Sequence, residues 1–310
     1  MKKSLKLVGV SLVFFSLVLT SVNCSKDDKD SNTNNNYVPT AVALNSLFNS
    51  NLDAIKQTAT FDASTTFTFT STAGTTVVID GTCLRKNGNP VTGNVDLEFI
   101  ELYDRGTMAI TNKPTLGIDT NGDLVPMDSG GEFKVAVKQD GVALTTTCNY
   151  QINTPTSLTG GTQTGMQPFS GTIDANGNLT WAVAQGVDFY LTTTPDKYNT
   201  VLSDFDWFNY DKLPSIGPRT EITVNIPTEY VNASTLFLST NSRPNSLGGL
   251  GGKYSIGLQC NIIFLAEENG SFRYAIKPIT IVNNQQVTFS KGETTVVSAA
   301  QMKTILNNLP

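Results

Sequence analysis

The stretch DFDW places Asp204, Asp206 and Trp207 within four residues, with Asp188 upstream, Asp211 downstream and a second indole at Trp181. Two carboxylates beside an aromatic ring are the parts of a glycan-processing cleft. One acid protonates the leaving oxygen, the other serves as nucleophile or base, and the ring stacks on a sugar face. Without catalysis, Trp181, Asp204, Asp206 and Trp207 would make a glycan-binding surface. The competing expectation is that Trp207 and Phe208 are interior residues, as large aromatics usually are, and it is the favoured one.

Asp119, Asn121 and Asp123 alternate in DTNGDL, and Asp174, Asn176 and Asn178 in DANGNL. Alternate oxygen side chains are the opening ligands of a calcium loop. Here the glycine comes two places early and no glutamate closes the loop. Asx-Gly between two apolar runs predicts a hairpin turn instead. No metal and no cofactor is expected.

The chain contains no histidine. That removes Ser-His-Asp and Cys-His mechanisms, His-based zinc sites and the usual base near neutral pH. Its dispersed cysteines contain no CxxC pair for an all-cysteine zinc site. LGGLGG at 247 to 252 lacks the strand, lysine and helix of a phosphate-binding loop, and is expected to be a mobile surface loop.

The elements that must position these residues are mostly strands. TFTFT, TVVID, VDLEFIEL and EFKVAVKQ alternate with period two, and turn signals fall at Asn87-Gly88, Asn121-Gly122 and Asp140-Gly141. The fold class is mainly β: two β-sandwich-like domains joined by a hairpin-containing connector, with short helices near the mature N-terminus and at the C-terminus. Residues 41–57 read as a short helix capping the first β domain, because Leu44, Leu47, Phe48, Leu52 and Ile55 share one helical face. Residues 58–155 form the first sandwich, 156–218 the connector turning at Asn176-Gly177, and 219–310 the C-terminal β domain. Ser298 caps its terminal helix.

Lys2, Lys3 and Lys6 precede an apolar run from Leu7 to Val22, 16 residues long. That is short of the roughly 20 a membrane-spanning helix needs, so residues 1–23 read as an export signal. The sequence LTSVNC resembles the cleavage site of bacterial lipoprotein signal peptides, which implies lipidation of Cys24. Ser21 and Asn23 depart from the usual pattern at that site, and the alternative is a secreted protein with an incidental cysteine. The following SKDD resembles the acidic sorting signal of surface lipoproteins in the Bacteroidetes. The expected address is the outer membrane, facing the cell surface, with residues 24–40 as a disordered tether.

Loss of residues 1–23 removes three of 21 basic residues, leaving 18 against 26 acids and a formal charge of −8. Such a chain is repelled by phosphate backbones, so nucleic acid is excluded as a partner. The expected partners are the membrane, through the N-terminal lipid, and a protein or glycan ligand. Outside the cytoplasm thiols tend to pair. Cys83 and Cys148 fall in one expected domain and are the favoured disulfide, leaving Cys260 free; all three as small core residues is the alternative.

GTTVVIDGTCLRKNGNPVTGNVDLEFIELYDRGTMAITNKPT, DSGGEFKVAVKQDGVAL and FDWFNYDKL resemble a group of flavobacterial-type surface lipoproteins with a ZU5-like β-sandwich and a C-terminal β domain. The resemblance covers most of residues 58–310. It implies a fold and a cell-surface address and supplies no catalytic residue. From sequence, then, the chain is a lipid-anchored extracytoplasmic protein used for adhesion, envelope assembly or ligand binding, with glycan binding or processing as the alternative.

Overall fold

Helix α1, Ala41–Ala54, begins where Thr40 accepts a hydrogen bond from the Ala43 N–H at 3.1 Å, satisfying one of the helix's free donors. Leu44 and Phe48, one turn apart, are buried. The computed structural model describes residues 37–174, 177–184, 188–193, 196–214, 217–241 and 243–310. Cys24 and the expected signal and tether lie outside the described residues, apart from 37–40.

Thirteen principal strands follow: β1 (Gln57–Asp62), β2 (Thr66–Thr70), β3 (Thr76–Asp80), β4 (Asn94–Leu102), β5 (Leu116–Ile118), β6 (Leu124–Pro126), β7 (Asp128–Gln139), β8 (Tyr150–Pro155), β9 (Gln167–Ile173), β10 (Leu179–Val183), β11 (Asp188–Thr193), β12 (Asp196–Leu202) and β13 (Trp207–Lys212). The larger sheet runs β1-β4-β7-β13-β9-β10-β5-β6, and the smaller runs β11-β12-β8-β3-β2. The segment 156–218, expected as a connector, thus supplies strands to both sheets. The chain crosses between sheets instead of closing one domain near residue 155.

Asn87-Gly88 and Asp140-Gly141 both take positive φ at each residue, 51° and 83° in the first, 51° and 76° in the second. That is the backbone a tight two-residue hairpin demands.

Beyond residue 218, β14 (Ser234–Thr240), β15 (Gly248–Gly249), β16 (Gln259–Glu268), β17 (Ser271–Thr280) and β18 (Thr295–Val297) form an antiparallel sheet in the order β15-β14-β16-β17-β18. Helix α3, Ala299–Asn307, starts at Ser298 with a reciprocal cap: the Ser298 hydroxyl accepts from the Gln301 N–H, and the Gln301 side chain accepts from the Ser298 N–H. Between β4 and β5 lies a short helix, α2 (Arg105–Ile110).

Three apolar clusters fill this architecture. One lies between the first two sheets and contains Val77, Leu97, Phe99, Phe133, Ile152 and Phe208. A second joins α1, α2, α3 and the other face of the larger sheet to the C-terminal sheet, through Phe48, Met108, Trp181, Trp207, Leu265 and Phe272. The third, with Leu238, Ile262, Phe264 and Phe289, lies within the C-terminal region. Phe48 meets Phe272 with ring centroids 5.8 Å apart. Helix α1 therefore seats on the shared second cluster, and not on the first sandwich alone. The larger sheet is covered on both faces, which dictates where its polar residues fall.

Candidate functional site

The DFDW stretch spans the turn from β12 into β13. Asp204 and Asp206 are exposed on that turn. The Tyr150 hydroxyl donates to the Asp204 carbonyl oxygen at 2.8 Å, and Asp206 Oδ1 accepts from the Trp207 N–H at 2.9 Å. Trp207, the first residue of β13, is 2 % exposed, and Trp181 on β10 is 0 % exposed with its indole N–H donating to the Pro114 carbonyl at 3.0 Å. The acids lie in water and both rings in the second apolar cluster, so the four residues do not line one cleft. Strand alternation is the cause: once β13 begins, every second residue is committed to an interior face.

In DTNGDL, Asp119 Oδ1 accepts the N–H groups of Asn121 and Asp123 at 2.8 and 3.0 Å, and Gly122 supplies φ +81°. Asp119 Oδ2 pairs with Arg219 at 2.6 Å, and Asp123 pairs with Lys253 at 2.7 Å. Each carboxylate already has a cation. In the second loop Asp174 accepts from the Asn178 backbone and side chain, and Asn176 lies outside the described residues. Among the described residues no group of three or more His, Cys, Asp or Glu is arranged to hold a metal.

Cys83 and Cys148 are joined in a disulfide with Cα atoms 5.6 Å apart; Cys260 is free and buried. The bridge ties the turn before Leu84 to the approach of β8, across 65 residues of sequence.

The larger sheet holds a polar row that the sequence pattern did not reveal. On β13, Trp207, Asn209 and Asp211 share the face toward the second cluster, while Phe208 and Tyr210 face the first. Glu132 on β7 stands opposite Asn209 in the register, and Lys134 opposite Trp207. Glu132, Asn209 and Asp211 are all 0 % exposed. The Asn209 amide donates to Asp211 Oδ2 at 2.9 Å. Lys113, in the loop after α2, is buried with its Nζ 5.9 Å from the Trp207 ring centroid, and Lys134 Nζ lies 5.7 Å from the same centroid.

Burial raises the Glu132 carboxyl well above its ordinary range, and the nearby Asp211 charge adds to that. Burial likewise raises Asp211 and pushes the Lys113 amine down to about 8. A register shift between Asn209 and Asp211 marks a bulge here. Across from it Gly131 takes φ +122°, and a Cβ there would meet the Tyr103 ring at 2.7 Å. One sequence signal for this row existed: WFNYDK carries aromatics on both alternating faces, so its polar residues are also inside.

The glycine-rich run, expected to be mobile, is tied down. Leu247 is buried, Gly248 and Gly249 pair with Leu238 and Phe237, and the Lys253 N–H bonds the Leu124 carbonyl at 2.8 Å. This run walls a cleft of about 420 Å³, with Leu116, Leu179, Ile226 and Leu236 among its apolar lining and Asn112, Asn178, Ser234 and Thr235 among its polar groups. The same four polar residues also line an adjoining hollow of about 290 Å³ beside α1.

Comparison of the chain with known protein families, with curated proteins and with solved structures finds no match.

Proposed function

We propose that the chain is a lipid-anchored extracytoplasmic β protein that binds a ligand without transforming it. Lipid on Cys24 would hold it at the outer membrane. The single observation that carries the binding role is the cleft beside the glycine-rich strand. Its volume, about 420 Å³, lies in the range of ligand sites, and apolar walls converge there with a few fixed polar groups. Amides and hydroxyls, with the Asp174 carboxylate and no lysine or arginine in the lining, suit an uncharged, hydroxyl-rich ligand, so glycan binding moves from the DFDW turn to this cleft. The extracytoplasmic address draws support from the Cys83–Cys148 disulfide, since such bonds persist in oxidising compartments.

Thermal shift measurements with a panel of neutral oligosaccharides test the cleft. A saturable rise in Tm, abolished by Thr235→Trp filling the cleft, is the expected result. No shift across the panel, or a shift that Thr235→Trp leaves intact, sinks it. Labelled palmitate incorporation tests the anchor: labelling that survives Cys24→Ser, or none in the unaltered chain, ends that part of the proposal.

A further inference from the structure

A second cleft, of about 400 Å³, opens where the first sandwich meets the C-terminal region. Its volume falls in the range of small-ligand sites. It shares no lining residue with the cleft beside the glycine-rich strand and does not rest on that reading. Asp128, at the start of β7, and Thr159, Gly160 and Gln163, after β8, form one wall; the loop from Arg243 to Ser246, between β14 and β15, forms the other. Among the described residues lining it, Pro244 has the only apolar side chain and none has an aromatic ring.

Both walls are fixed without a ligand. The Pro244 carbonyl accepts from the Arg105 N–H at 3.3 Å, the Arg243 carbonyl accepts from the Ser246 N–H at 3.2 Å, and the Ser246 hydroxyl donates to the Met127 carbonyl. Opposite, Gly160 closes the short helical turn Thr156–Thr159 with φ +87°, and the Tyr198 hydroxyl accepts from the Gln163 N–H at 3.0 Å. A preformed site loses little binding energy to the ordering of loops.

Arg243 brings a cation to this lining, and its Nε pairs with Asp128 Oδ1. Among the described residues neither Nη group has a partner, and neither do the side-chain amides of Gln163 and Asn245. All three side chains are half-buried. A guanidinium bonded through Nε alone keeps a fork of parallel Nη donors, the geometry that grips a planar carboxylate through two bonds. Asp128 holds that fork in place and offsets part of its charge. One further negative charge is matched there, while the double charge of a phosphate is not, in a chain with 26 acids against 21 basic residues. The amides of Gln163 and Asn245 each offer donors and an acceptor, which suits hydroxyl groups.

We propose that this cleft binds a sugar acid: a uronate whose carboxylate lies in the Arg243 fork and whose hydroxyls bond Gln163 and Asn245. No lysine or arginine among the described residues lines the cleft beside the glycine-rich strand, so that cleft has nothing with which to hold the same carboxylate.

Calorimetric titration of the full chain with trigalacturonate and with its methyl ester tests it. Saturable binding of the acid is the expected result, with the ester weaker by about tenfold or more, because the charge-assisted bonds to the carboxylate are lost. Arg243→Gln should weaken the acid by a similar factor and leave the ester unchanged. Gln163→Ala leaves the ion pair intact, so it tests the cleft even where Arg243→Gln disturbs the fold; it should weaken acid and ester alike. Thr235→Trp should leave binding of the acid as it was. No binding by the unaltered chain, equal affinity for acid and ester, or unchanged affinity for the acid in either cleft variant overturns the proposal. Loss of the acid's binding in Thr235→Trp assigns it to the other cleft and overturns this one. Tri-glutamate bound as tightly as trigalacturonate overturns the choice of a sugar.

Discussion

Trp181 and Trp207 meet edge to face inside the protein, with ring centroids 6.4 Å apart and planes at 79°. Such pairs add about 0.5–1.5 kcal/mol beyond the area they bury. They are the only two tryptophans in the chain. Its fluorescence is therefore expected to be blue-shifted and insensitive to iodide, and unmoved by oligosaccharides that bind elsewhere. Trp207→Ala is expected to cost about 3–5 kcal/mol in urea unfolding, through the cavity it leaves. A red-shifted, iodide-quenched emission would contradict this packing.

The Cys83–Cys148 bridge closes a loop spanning 65 residues of sequence. In the chain-entropy account, a loop of that size is worth about 4 kcal/mol. The double variant Cys83→Ala/Cys148→Ala should unfold at distinctly lower urea than the oxidised parent, and reductant should bring the parent toward it. Coincident curves would mean the bridge contributes nothing.

Arg105 is 1 % exposed and reaches the far end of the chain. Its guanidinium donates to the Ser239 hydroxyl at 2.6 Å and to the carbonyls of Thr240, Leu309 and Pro310. Gly106 supports the same junction by donating to Asn307 Oδ1 at 2.8 Å. Arg105→Ala strands several inward-facing acceptors and is expected to lose about 3 kcal/mol or more. Hydrogen exchange should report the loss first in α3. Protection of α3 equal to the parent's would refute the latch.

Burial raises Glu132 and Asp211 above their ordinary values of 4.5 and 3.8, so the folded chain holds protons that the unfolded chain has released. The stability this pair contributes is complete below those ordinary values and is lost as pH rises through the raised folded ones. The charge of Lys113, in the loop after α2, lowers Glu132 in part and tempers the effect, while Asp128 adds to the rise of Asp211. Urea stability is expected to fall as pH rises above the ordinary carboxylate range, and Glu132→Gln to flatten that fall. Parallel slopes in the two proteins would rule it out.

The carboxylates of Asp119 and Asp123 are paired with Arg219 and Lys253. Calcium followed by EDTA should leave Tm where it was. A calcium-dependent rise removed by Asp119→Asn would reverse the assignment of this loop as a turn.

Much of the local structure was legible along the chain. Leu44 and Phe48 announced α1, Ser298 the start of α3, and Asn87-Gly88 and Asp140-Gly141 two hairpin turns. Each depends on residues at most a few places apart, so the pattern contains its own explanation. The segment 156–218 was misread as a connector because strand pairing is a long-range choice: Phe208 pairs with Phe133, 75 positions away. Lys113 and Glu132 escaped notice for the same reason. Each looks like an ordinary surface charge until the sheet that carries or faces it is covered on both sides.

The sequence by itself determined the mainly-β character, the terminal helices and the absence of histidine chemistry, because composition and short periods act within single elements. The pairing of β7 with β13 and the burial of both tryptophans away from their neighbouring acids were decided only by the tertiary structure. So were the burial of Glu132, Asn209 and Asp211 in one row and the cleft beside the glycine-rich strand. Those depend on which strands and loops pack together, and that is set by the summed burial of residues far apart in the chain.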